Sequence, residues 1–126
     1  MKKNLSTNLP PHDVEEALAL LCLRAAEEKK AHDPLILDLR GISTFTNYFV
    51  ILSGDSEPQL KAISTSIREN VRKAYAQSPF SDDSYPGSAW IVLDYGSVVV
   101  HIFHERLRKL YDLESLWGDA EQIRLS

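Results

Sequence analysis

The sequence predicts a small α/β domain, a mixed β-sheet with helices packed on it. Three observations predict it. The chain has 126 residues, 44 % of them apolar and 25 % charged, which is enough for one core and ordinary for a globular protein. Apolar residues recur at helical spacing in some stretches and form short, strand-length runs in others. The order that results is helix, strand, strand, helix, strand, strand, helix, and a helix between strands is the step that makes a right-handed parallel crossover. The domain is expected over residues 13–117, after a lead-in of residues 1–12 and before a tail of residues 118–126.

The first helix is expected to start near Asp13, where Asp13 and Glu16 resemble a capping box. Val14, Leu18, Leu21 and Ala25 form its apolar stripe. Lys29 and Lys30 suit its C-terminal dipole, and the residue before Pro34 disfavours helix. The run "LILDL", 35–39, reads as a strand, and "GISTFTN" as a loop. "YFVILS", 48–53, is apolar on both faces and therefore reads as a central strand. Ser56 is a good N-cap for a second helix, with Gln59 three residues on and Pro58 in the first turn. Leu60, Ile63, Ile67, Val71 and Ala74 form its buried stripe. A polar connection, "AQSPFSDDSYPGSA", leads to a hairpin with strands at Trp90–Asp94 and Ser97–Phe103. Gly96 supplies the backbone freedom of its turn. Leu107, Leu110, Leu113, Leu116 and Trp117 line one or two short C-terminal helices.

Composition narrows the function. A formal net charge of −4 argues against a protein that wraps nucleic acid by itself, because such binding rests on many cationic contacts to phosphate. The single cysteine, Cys22, excludes an internal disulfide framework and a multi-cysteine zinc site, and reads as a small hydrophobe beside a buried stripe. No apolar run approaches the ~20 residues of a membrane span, and "MKKNLSTNLPPHD" lacks the hydrophobic stretch of a secretory signal. A cytoplasmic protein is the expectation.

Several residues invite a chemical reading. "SGDS" places Gly54 before a helix N-terminus, where phosphates bind, but Asp55 would occupy or repel that position and a helix cap explains the motif. A nucleotidyltransferase needs carboxylates holding divalent metal, and here only Asp38 and Asp94 stand at strand ends. His101 and His104 have neither helical nor same-face strand spacing, so no metal site is expected. His101 alternates with Val99 and Phe103, as a packed residue of the fold would. Lys61, Arg68 and Arg72 share a face of the second helix and read as a solvated surface. Trp90 opens a strand beside a polar loop, where a tryptophan serves either as a lid on the core or as the anchor of an interface.

Taken together, "TNYFVILSGDS", "WIVLDYGSVVVHIF" and "RLRKLYDLESLW" closely resemble the ribosomal silencing factor (Iojap) family, in order and spacing, from about residue 13 to 117. The chain departs from the family pattern at Asn47, Ser53, Asp83-Ser84 and Ser97. The resemblance implies a nucleotidyltransferase-like topology without the catalytic set, no enzymatic activity and no cofactor. It implies binding to the large ribosomal subunit through large-subunit ribosomal protein fourteen, a steric block of association with the small subunit and repression of translation, and a homodimer off the ribosome. Because ribosomal proteins are generally basic, Asp83 and Asp94 are expected to face such a partner, with Trp90 as the buried anchor. Tyr95 shapes the hairpin tip, and Arg108 and Tyr111 extend the patch or brace the tail. Two alternatives stay open: an adaptor for large-subunit assembly, and a nucleotide-binding enzyme on the same fold.

Overall fold

The computed structural model describes residues 14–83, 89–111 and 121–123. Tyr48–Gly54 (β2) is buried along almost its whole length, because it lies between His32–Asp38 (β1), antiparallel to it, and Val98–His104 (β5), parallel to it. The run that is apolar on both faces is therefore central, as its pattern predicts. Trp90–Asp94 (β4) pairs antiparallel with β5, and Ser81–Asp83 (β3) with β4. Glu121–Ile123 (β6) pairs antiparallel with β1. The six-stranded order is β3-β4-β5-β2-β1-β6.

Three expectations change here. The parallel partner of β2 is the second hairpin strand rather than the first, so the crossover passes through a helix and two further strands. The polar connection contains β3, and the stretch expected as a tail contains β6. Both are three-residue edge strands, formed by pairing with a neighbour and not by local propensity. β1 begins at His32 and not at Leu35, with an irregular register between those residues and Asp33 in a left-handed conformation.

Two helices cover one face of the sheet. In Val14–Glu27 (α1), Leu18, Ala19, Cys22, Leu23, Ala25 and Ala26 are buried. Val14 is exposed and Leu21 only partly buried, so the stripe is broader than predicted and rotated. The cause is that α1 packs against both the sheet and Glu57–Tyr75 (α2). The Asp13 cap lies outside the described residues. Burial pushes the Cys22 thiol up to about 12, which leaves it protonated and inert. In α2 the Ser56 side chain accepts from the backbone N–H of Gln59, as predicted. Leu60, Ile63, Ile67 and Val71 are buried, whereas Ala74 is exposed and Tyr75 packs in its stead.

The opposite face carries a second cluster: Leu35, Leu37, Leu39, Ile51 and Phe103 are buried, with Phe49, Trp90 and Leu107 partly so. Leu107 belongs to Glu105–Tyr111 (α3), the short helix that follows β5. Leu110, Leu113, Leu116 and Trp117, expected beside it, belong to side chains or segments outside the description.

Candidate functional site

Alternation along β4 puts Trp90, Val92 and Asp94 on the face away from α1 and α2. β5 puts Val99, His101 and Phe103 on the same face, with Trp90 opposite Phe103 and Asp94 opposite Val99. The result is an aromatic cluster at the mouth of β4. The Trp90 and Phe103 rings lie 4.9 Å apart at 30°. Phe49, from β2, meets the His101 ring edge-on at 4.6 Å. The Trp90 indole N–H donates to Nδ1 of His101 at 3.2 Å.

That bond assigns the histidine's proton. Nδ1 must accept, so the neutral ring carries its hydrogen on Nε2. His101 is 8 % exposed. Burial lowers its pKa to about 4, against a smaller opposing pull from Asp94, which keeps the ring neutral near pH 7. Its Nε2 is buried with no hydrogen-bond partner among the described residues.

Asp94 ends β4 and closes the turn. Its Oδ1 accepts from the Gly96 N–H at 2.7 Å, an Asx turn that leaves Gly96 at φ +87°, where only glycine is free of strain. Asp38, the other strand-end acid, is held by the Arg40 guanidinium through two bonds of 2.9 and 2.7 Å. Three inter-strand steps separate the two acids, roughly 14 Å at the usual spacing, too far to share a metal ion. Among the described residues no three His, Cys, Asp or Glu side chains cluster so as to hold one.

The six residues expected at a partner face do not form one surface. Trp90 is half-buried at the cluster, with Asp94 on the same face of the sheet. Tyr95 is 2 % exposed and lies in the main core under the helices, so its side chain serves the fold. Arg108 is 9 % exposed and is an internal brace. Its Nη1 donates to Ser53 Oγ at 2.9 Å and to the backbone carbonyls of His32 and Asp33, tying α3 to β2 and β1. A second tie joins the same elements, His32 Nδ1 to Glu105 Oε2 at 2.9 Å. Asp83 is the last residue of β3, opposite Val92, and Tyr111 the last of α3; their side chains lie outside the description. Sequence reasoning did not connect His101 to Trp90. The signal was available, since two positions of adjacent hairpin strands, two rows apart at most, share a face.

These features define a class: a mixed α/β domain that carries a hydrogen-bonded, half-buried tryptophan on an aromatic floor. Comparison with known proteins gives the particular family. The profile of the family described as ribosomal silencing factor during starvation matches residues 11–126, and the chain belongs to that family. The ribosomal silencing factor RsfS of Bacillus subtilis is 36 % identical over 106 residues, 84 % of this chain and 89 % of the relative. The chloroplastic protein Iojap of Zea mays is 37 % identical over 128 residues, 95 % of this chain and 55 % of the relative. A crystal structure of a Chromobacterium violaceum protein superposes with a TM-score of 0.79 at 27 % identity, covering 84 % of this chain and 88 % of that one.

Proposed function

We propose that this chain binds the large ribosomal subunit through the Trp90 face, at large-subunit ribosomal protein fourteen, and blocks joining of the small subunit by occupying that surface. The observation that carries the reading is Trp90 itself. It is half-buried, packed against Phe103 at a 30° tilt and hydrogen-bonded to His101, with Asp94 on the same face at the other end of β4. A preordered aromatic anchor suits a macromolecular interface. The relatives' name, ribosomal silencing factor, supports the ribosome as the target. The chain acts by occupancy rather than catalysis, in the cytoplasm where its target lies. Asp38 and Asp94 are each committed to a structural bond, which supports that choice.

The test is co-sedimentation with purified large subunits. Trp90→Ala should weaken binding by about 2 kcal/mol or more while the protein stays cooperatively folded. Unchanged binding by a folded Trp90→Ala protein would place the anchor elsewhere.

We further propose that the homodimer uses the other end of the sheet. Among the described residues the exposed large hydrophobics are Val14, Ile42, Phe45 and Phe80. Ile42 and Phe45 lie in the β1–β2 loop, Phe80 directly precedes β3, and Val14 opens α1, whose Glu15 accepts from the Asn47 side chain. All four therefore gather where β1 and β4 end and β2, β3 and β5 begin. That end is remote from Trp90, so a dimer formed there would leave the ribosome-binding face open.

A further inference from the structure

We propose that His101 is a positioning residue for the partner-binding face: its Nδ1 fixes the indole of Trp90 in the orientation that the partner meets. The inference rests on the reading of Trp90 as the anchor. Two kinds of contact among those that hold the indole matter here. Phe103 supports its ring at 4.9 Å, and His101 accepts its N–H at 3.2 Å. Ring packing alone leaves an indole free to slide or flip over its floor, because dispersion has little directionality. The hydrogen bond is directional and selects one orientation.

The histidine is itself held. Phe49 meets it edge-on at 75°, and its plane lies within 9° of that of Phe103. An acceptor fixed in this way transmits the geometry of the sheet to a half-buried side chain. The position is otherwise an unfavourable one for a histidine. Its strand neighbours in register are Ile51 and Val92, and its Nε2 is buried with no partner among the described residues, an arrangement that costs stability. A valine or isoleucine would avoid that cost. What an imidazole supplies there, and an aliphatic side chain cannot, is the acceptor for Trp90. Fixing an anchor before binding removes an ordering cost from association.

The wild-type protein provides the first measurement. In uniformly 15N-labelled protein at neutral pH, His101 should show the Nε2–H tautomer, and a scalar coupling across the N–H···N bond should link its Nδ1 to Nε1 of Trp90. An Nδ1–H tautomer would overturn the proposal whatever the variants do. The second measurement is affinity for large subunits. His101→Phe keeps a ring and removes the acceptor, and should bind roughly tenfold more weakly. His101→Asn places an oxygen near the position of Nδ1, and should bind within about threefold of wild type and keep a single, exchange-protected Trp90 indole signal. Wild-type affinity in folded His101→Phe, or equal losses in folded His101→Phe and His101→Asn, would overturn the positioning role. Failure of the underlying reading looks different, since folded Trp90→Ala would then bind normally.

Discussion

His101 makes the stability of the protein depend on pH. Its folded-state pKa is about 4, below the ordinary 6.5, so between those values the unfolded chain holds a proton that the folded protein lacks. Stability is then at its full value above about pH 6.5 and falls as pH drops toward 4, by on the order of 3 kcal/mol from this group. Thermal melts of wild type and His101→Asn across that range should show the difference, with the variant losing less stability on acidification. Parallel curves for the two proteins would remove His101 as the source. At this scale the sequence was partly legible. Ser56 as a cap, Gly96 as a turn residue and Cys22 as a buried hydrophobe depend on near neighbours in the chain, and the structure bears them out. Tyr95 and Arg108 were not legible. Tyr95 stands in a turn, where strand alternation no longer assigns a side. Arg108 bonds to residues 55 and 75 positions away, and no local pattern announces such partners.

At the scale of elements, α3 is the least self-sufficient helix described. It is 7 residues long, too short to be stable alone, and Arg108 and the Glu105–His32 pair fasten it to the sheet. Arg108→Ala should therefore destabilise the protein by about 2 kcal/mol, since it strips charged hydrogen bonds from buried acceptors. Urea unfolding measures this, and a loss under 0.5 kcal/mol would mean that the brace is dispensable. The long elements were readable because their periodicity runs over many residues: α2, apolar β2 and the hairpin all fall where the pattern places them. β3 and β6 escaped, because "SDD" and "EQI" carry no strand signal and owe their conformation to β4 and β1. The parallel pairing of β2 with β5 escaped for a related reason, since strand order is decided by which edges remain free and not by chain order alone.

For the whole molecule, the proposed binding and self-association surfaces fall at opposite ends of the sheet. The Trp90 end carries the anchor and the α3 brace, and the opposite end carries Phe45 and Phe80, 89 % and 77 % exposed. Replacing both with serine should shift the protein toward monomer in sedimentation equilibrium and leave large-subunit binding intact. A dimer that persists in the double variant would move the self-association surface elsewhere. The family was legible in three separated segments whose combination is specific. The proposed partner-binding face was legible only in Trp90, because the side chains that support it, His101, Phe103 and Phe49, come together through sheet pairing.

Steric exclusion is read out by mixing purified small and large subunits with this protein and following joined ribosomes by sedimentation. The joined peak should fall as protein is added, the protein should travel with the large subunit, and Trp90→Ala should restore joining. Normal joining with the protein bound to the large subunit would contradict steric exclusion.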